Sequence, residues 1–306
     1  MKRLPQIGWL ADGRRIHLHD GPIDLIVEAR GSAANVRAAY AAAVERFTGL
    51  LDELCVELPE LRKPARPAVC VLQGGVARRM HDAVAPFAAN HFITPMAAVA
   101  GAVAEEILGT MVRAADLRRA YVNNGGDIAL HLADGECFTV GLVDRPDRPE
   151  LIGKTVVESN DLTRGIATSG WRGRSFSLGI ADAVTVLART AAQADAAATI
   201  IANAVDLPDH PSVVRRPANE IQPDNDLGAR LVTREVRELP LSDIKIALDS
   251  GADVARLLLR FGLIDGAALH LQGETRVVAL KSIDSVMLRP LPHVVARIGT
   301  ESLSHV

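Results

Sequence analysis

Residues 190–204 read Thr-Ala-Ala-Gln-Ala-Asp-Ala-Ala-Ala-Thr-Ile-Ile-Ala-Asn-Ala. Alanine is the strongest helix former, so this stretch is a helix by propensity alone. It also constrains the fold, because a surface of methyl groups lets another backbone pack close. Among the polar residues that interrupt it are Asp195 and Thr199. At i and i+4 they share one helical face. A carboxylate and a hydroxyl one turn apart are oxygen donors of the kind that suit Mg²⁺ better than a soft metal. The same spacing also fits a plainer arrangement, in which Asp195 caps or forms an ion pair and Thr199 back-bonds to a carbonyl one turn earlier.

The rest of the chain organises around that helix. Residues 14–29 alternate apolar and polar about a Gly-Pro turn, which predicts a hairpin. Ser32 can cap an Ala-rich helix over about 34–57. Lys63-Pro-Ala-Arg-Pro67 is a loop, and a short helix follows over about 75–88. Thr94 is a natural N-cap with Pro95 at the first helical position. Glu105 and Glu106 lie about three turns further on, too far in to serve that helix's own N-terminus. From residue 120 the pattern turns β-like, with strands expected at 120–122, 128–132, 138–143, 154–157, 163–168 and 175–187. Residues 205–240 read as loop, punctuated by Pro208, Pro211, Pro217 and Pro223. A last helix is expected over about 252–261, with strands within 267–289. Helices and strands come in runs and not in strict alternation. This favours an α+β fold, with mixed or antiparallel sheets and packed helices. No repeat and no long linker divides residues 1–306, so one compact unit is expected.

Bulk properties narrow the function classes. The chain has 306 residues, 48% of them hydrophobic, which suffices for a large core. A net charge of −3 gives no reason to expect nucleic acid or a membrane surface as partner. Aromatics at 3% leave little for stacking bases. Cys55, Cys70 and Cys137 are odd in number and widely spaced, so reduced, buried thiols in a cytoplasmic protein are expected rather than a disulfide framework or zinc site. Residues 1–9 lack the apolar core of a signal peptide. The apolar run at 96–103 is too short to span a bilayer and meets Glu105-Glu106.

Several other segments could carry chemistry. Asn123-Asn124-Gly125-Gly126-Asp127 lies between two strands, unlike the strand-to-helix loop of dinucleotide or P-loop motifs. Its glycines permit positive φ and close approach to a ligand, and they fit an ordinary hairpin turn equally well. Residues 165–170 end in Ala-Thr-Ser-Gly, whose Thr168, Ser169 and Gly170 can offer hydroxyl and amide donors to phosphate. Arg172 and Arg174 follow closely and could add charge. His81, His91, His131 and His210 are scattered, and no GxSxG elbow occurs. Asp224 and Asp226 sit in Pro-Asp-Asn-Asp-Leu-Gly228, a polar turn that lacks the later ligands of an EF-hand loop.

The order of these segments resembles the FAD:protein FMN transferase (ApbE-like) family. The matching pieces are Asn124–Asp127, 167–170, Val184-Thr185-Val186, and Ala194-Asp195 with Thr199. Three further runs resemble an uncharacterised branch of that superfamily: Phe92-Ile-Thr-Pro-Met-Ala-Ala-Val-Ala-Gly101, Arg174-Ser-Phe-Ser-Leu-Gly-Ile-Ala-Asp182, and Asp226-Leu-Gly228. The resemblance implies a single ApbE-like domain, or two interleaved α+β subdomains. It implies Mg²⁺ on Asp195 and Thr199. FAD or FMN, or a related nucleotide, would be bounded by Asn124, Gly125, Gly126, Asp127, Thr168, Ser169, Gly170 and Asp182. A transferase acting at the FAD diphosphate would need an acceptor protein; homo-oligomers are also compatible, and no catalytic residue can be named. A non-catalytic flavin-binding or assembly module, and a cofactor-biosynthesis enzyme acting on a pterin-like substrate, are the alternatives. The chain departs from the transferases in two places. The His-x-x-Asp-Pro-x-x-Gly segment is replaced by residues 175–182, and the Lys and Asp at the start of the helix near Gly101 become Ala100 and Thr94.

Overall fold

The computed structural model describes residues 4–143 and 151–279. Its strands in chain order are β1 (Gln6–Trp9), β2 (Ile16–Asp20), β3 (Ile23–Arg30), β4 (Arg119–Asn124), β5 (Asp127–Leu132), β6 (Cys137–Val143), β7 (Leu151–Glu158), β8 (Gly165–Ser169), β9 (Ala183–Ala188), β10 (Val213–Pro217), β11 (Leu231–Val236), β12 (Gly266–Leu271) and β13 (Glu274–Ala279). The α-helices are α1 (Ala33–Phe47), α2 (Leu50–Leu61), α3 (Gly75–Val84), α4 (Val99–Ala114), α5 (Ala191–Ala204), α6 (Ala218–Ile221) and α7 (Leu241–Arg260). A 3-10 turn, Pro95–Ala98, leads into α4.

Nine strands form one antiparallel sheet in the order β1-β2-β3-β4-β5-β8-β9-β12-β13. Alternation dictates which side faces the core. In β2 and β3 every second residue is buried: Ile16, Leu18 and Asp20, then Ile23, Leu25, Val27 and Ala29. Helices α1, α4, α5 and α7 cover that side, so the architecture is α+β, as the runs of like elements imply. The opposite face is covered in its middle by the β6–β7 ribbon. There Leu130, Leu132, Val157 and Ile166 make a second, small core. Strand β9 is buried on both faces, Val184 and Val186 toward one and Thr185 toward the other.

Helix α5 is the structural axis. Its alanines are buried almost throughout, and glycines admit the backbones that grip it. A Cβ on Gly101 of α4 would lie 2.3 Å from the Ala191 carbonyl oxygen. One on Gly165 of β8 would lie 2.0 Å from the Thr190 carbonyl carbon. Thr190 Oγ1 caps the helix by accepting from the Gln193 N–H at 3.3 Å. Glu105 Oε1 accepts from the Ala192 N–H at 2.7 Å. Glu105 therefore serves a helix N-terminus after all, but that of α5, through a contact 87 residues away in sequence. The run Pro95–Ala114 has the length and hydropathy to cross a bilayer, with half of its most apolar window buried. Within it Glu106 meets Arg46 at 2.6 Å and Arg79 at 3.1 Å.

Several boundaries differ from expectation for identifiable reasons. The helix expected over 34–57 breaks at Gly49, whose φ of 86° is left-handed, and restarts as α2. Residues 175–182 form no strand. Gly179 packs against the backbone at the end of α5, where its Cβ would lie 2.1 Å from the Ala202 carbonyl oxygen. Ile180 N–H donates to the Val205 carbonyl there at 2.8 Å. The stretch 205–240 holds β10, α6 and β11, and α7 begins at Leu241, well before residue 252. The strand expectation beyond 279 falls outside the described residues. Cys55, Cys70 and Cys137 are unpaired as expected, but exposed rather than buried. Thr94 does not use its hydroxyl as an N-cap; Thr94 Oγ1 donates instead to Asp226 Oδ2, tying the 224–228 turn to the start of α4.

Candidate functional site

Residues 123–127 form the two-residue turn of the β4–β5 hairpin, with Asn124 paired to Asp127. Gly125 and Gly126 have φ of 66° and 118°, values that a primed turn demands and that side chains resist. Asn123 Oδ1 accepts from the Gly126 N–H at 2.8 Å and locks the turn. The plain hairpin reading of this motif is therefore realised, except that Asp127, expected to be solvated there, is partly buried. Its consequence is to start β5 with Asp127 directed at the end of β8, where Asp127 Oδ1 accepts from the Thr168 N–H at 3.2 Å. The exposed Arg174 guanidinium lies over Gly125, close enough that a Cβ there would collide with it. Above Gly126 a Cβ would meet nothing, so the turn opens on free space.

Asn124 is buried and joins three elements. Its Oδ1 accepts from the Asp24 N–H at 3.4 Å, and its Nδ2 donates to the Ala100 carbonyl at 3.2 Å. One residue on, the Gly101 N–H donates to Asp195 Oδ2 at 3.0 Å. The Ala100 N–H also bonds that carboxyl. Asp195 thus caps the open N-terminus of α4, as the plainer reading of this residue anticipates. Capping does not exhaust its surroundings, because the Asp127 charge reaches it. Desolvation pushes both carboxyls up, Asp127 to about 7 and Asp195 well above the ordinary value. For Asp195 the neighbouring Asp127 charge adds to the shift. For Asp127 the Thr168 N–H and the Arg174 charge pull the other way. The two carboxyls thus titrate as a coupled pair, each ionising less readily once the other is charged. Protein surrounds both groups on most sides while each keeps an edge open to solvent.

Thr199 stands one turn beyond Asp195, partly open in a helix that is otherwise mostly buried at this level. Elsewhere in the fold helical hydroxyls back-bond to the previous turn: Thr110 Oγ1 donates to the Glu106 carbonyl at 3.0 Å and Ser250 Oγ to the Ile246 carbonyl at 3.0 Å. Thr199 does not. Among the described residues its hydroxyl takes no hydrogen-bond partner, so its lone pairs remain available.

The Thr-Ser-Gly segment divides. Thr168 gives its amide to Asp127, and its hydroxyl pairs with that of Thr185 at 2.9 Å, so it shapes the site through its backbone. Ser169 lies half-buried at the end of β8. Gly170 admits the carbonyl oxygen of Asp182 to where its own Cβ would lie, at 2.5 Å. The Asp182 carboxylate is taken up elsewhere. Its Oδ1 accepts from Arg172 Nε at 2.6 Å and Trp171 Nε1 at 3.2 Å, and its Oδ2 from the Gln272 N–H at 2.7 Å. Asp182 is nearly fully buried, and the structure makes it an anchor of the 170–172 loop. Beyond that loop lies an open cavity of about 290 Å³, lined by Trp171, Arg172, Gly173, Thr233 and Arg234. None of Asp127, Asp195 and Thr199 lines it. Arg172 is occupied by Asp182, which leaves Arg174 as the cation over the Gly-Gly turn.

These features define an α+β protein whose central helix carries Asp195 and Thr199 and whose β4–β5 hairpin carries Asp127, all three partly buried. The profile of the AbpE bacteria family matches residues 7–277, and the chain belongs to that family. Similar proteins include the UPF0280 protein MK0206 of Methanopyrus kandleri, 35% identical over 192 residues covering 62% of this chain and 74% of that protein. The UPF0280 protein of Methanococcus vannielii is 42% identical over 124 residues, covering 39% of this chain and 49% of its own length. The UPF0280 protein of Methanothrix thermoacetophila is 40% identical over 114 residues, and there too the match spans less than half of the relative, 46%. Among solved structures, the apo form of Pseudomonas stutzeri flavinyl transferase ApbE aligns with a TM-score of 0.46 and 11% identity, over 94% of this chain and 98% of that one.

Proposed function

We propose that this chain binds a flavin nucleotide, or a cofactor of related diphosphate chemistry, together with Mg²⁺, and acts as a transferase at the diphosphate. The observation that carries the reading is that Asp127 and Asp195, from distant motifs, are both partly buried and lie within electrostatic reach of each other. Two coupled carboxyls held above their ordinary range keep their protons more tightly than usual, and a hard divalent cation would relieve their repulsion in place of a proton. The donors fit such an ion: they are all oxygens, and Thr199 is unengaged.

On this reading Asp195 and Thr199 hold the metal. When bound, Mg²⁺ polarises the diphosphate and stabilises the AMP that leaves. Asp127 completes the negative wall and, through the Thr168 N–H, keeps the end of β8 in place. The Gly125-Gly126 turn and Ser169 border the space in which phosphate oxygens would lie, and Arg174 supplies a charge of the right sign beside it. Asn124 holds the hairpin to the start of α4, which keeps Asp127 and Asp195 in register. An acceptor hydroxyl of a protein side chain would form the new phosphodiester as AMP departs.

The test starts from the visible spectrum of the purified chain, then assays AMP formation from FAD with Mg²⁺ in wild type and Asp195→Ala. A flavin absorbance with AMP release abolished in the variant is expected. A wild-type chain that neither takes up flavin nor releases AMP with Mg²⁺ and a range of hydroxyl acceptors would overturn the reading. Flavin uptake without AMP would reduce it to a binding module.

A further inference from the structure

The outer face of the sheet carries a second group of ligand atoms, on the hairpin next to the candidate site. His17 and His19 are two residues apart on β2 and point out of the same face, since their neighbours Ile16, Leu18 and Asp20 are buried on the other. Asp24 on β3 lies directly opposite His19 in the antiparallel register. His17 Nε2 contacts Asp24 Oδ1, His19 Nδ1 lies 4.0 Å from the same oxygen, and the three ligand atoms lie within 4.8 Å of one another. All three side chains are partly exposed, so an ion can reach them. The strand that flanks β2 leaves room. Gly8 of β1 is the residue opposite His17, and a Cβ placed on it would meet nothing within 4 Å.

We propose that His17, His19 and Asp24 form a binding site for a divalent late first-row transition metal of the Zn²⁺, Co²⁺ or Ni²⁺ kind. Two imidazoles and one carboxylate are the donor set such ions favour, whereas Mg²⁺ prefers an all-oxygen shell. Three ligands projecting from one hairpin leave at least one coordination position open toward Gly8, as in sites where a metal keeps water or takes an external ligand. The pleat explains why so short a segment suffices. Residues i and i+2 of one strand and the cross-strand partner of i+2 form a triangle whose ligand atoms need only rotamer adjustments to close on an ion.

The site is joined to the carboxylate pair by a single side chain. Asp24 N–H donates to Asn124, Asn124 to the Ala100 carbonyl, and the adjacent Gly101 N–H to Asp195. A metal at the hairpin would stiffen the strand on which the start of α4 leans. The inference does not depend on the function proposed above, since its ligands and its metal class are different.

The full chain, stripped with chelator, is titrated with Co²⁺ and followed through its ligand-field absorption. One equivalent should give visible bands that Zn²⁺ displaces, and Zn²⁺ should raise the melting temperature. His19→Ala and Asp24→Asn should each abolish the bands, and Asp195→Asn should retain them. Asp24→Asn keeps the shape of the side chain, so it decides the matter if His19→Ala fails to fold. Absence of Co²⁺ bands in wild type, bands that persist in Asp24→Asn, or bands lost only in Asp195→Asn would each overturn the site. Failure of FAD turnover with intact Co²⁺ bands would count against the transferase alone.

Discussion

Asp127→Asn is the most informative single change, because it removes a charge without removing a shape. In the folded chain the Asp127 carboxyl titrates at about 7 against an ordinary 3.8. A carboxyl whose value is raised on folding binds its proton more tightly in the folded state. Its unfavourable contribution is therefore absent below about pH 4, grows as pH rises, and is complete above about pH 7. About 3 pH units at ~1.4 kcal/mol each set a ceiling of ~4 kcal/mol. The open edge of the site and its coupling to Asp195 reduce this to about 1–3 kcal/mol. Asparagine can still accept from the Thr168 N–H through Oδ1, so that hydrogen bond survives. The variant should accordingly be more stable than wild type at pH 8 without metal, by about 1–3 kcal/mol. The gain should shrink to nothing by about pH 4. Added Mg²⁺ should stabilise wild type more than the variant. Urea unfolding at several pH values, with and without Mg²⁺, measures each quantity. A variant that is less stable than wild type at pH 8, or a difference that does not vary with pH, would refute the electrostatic account.

Two further substitutions test the packing that holds the site. Gly101→Ala puts a methyl group 2.3 Å from the Ala191 carbonyl oxygen, where only backbone can yield, and should cost about 3 kcal/mol or more in chemical denaturation. Val184→Asp buries an unpaired charge in a strand covered on both faces, and should lower stability by about 3–5 kcal/mol, so that a wild-type melting curve would contradict the placement of β9.

Much of the framework was legible in one dimension. Alternating burial in residues 16–30, the Ser32 cap and the alanine helix follow local rules, and each appears where those rules put it. The errors have a common physical source. Residues 175–182 have the composition of a strand, yet their backbone partners are scattered over the end of α5, Trp171, Thr233 and His270 and form no ladder. Residues 241–251 extend the helix expected over 252–261, and α7 buries Ile244, Ala247 and Leu248 on one face. His17, His19 and Asp24 gave a signal that was there to be read, since alternation already places the two histidines on one side of a strand. Their nearness to Asp24 could also have been inferred from the tightness of the hairpin.

The amino-acid order alone determined the local geometry: which residues take helix or strand, where glycine allows a primed turn, and that Asp195 and Thr199 share a helical face. These depend on backbone sterics and on periods of two and 3.6 residues, which act over a few positions. Only the tertiary structure decided what each side chain confronts. It brought the Asp127 charge within reach of Asp195, gave one oxygen of Asp195 to the start of α4, left Thr199 unengaged, and enclosed Asp182 between Arg172 and Gln272. Charge, desolvation and hydrogen bonding depend on distance in space, and those distances exist only once nine strands and the helices across them have closed around α5.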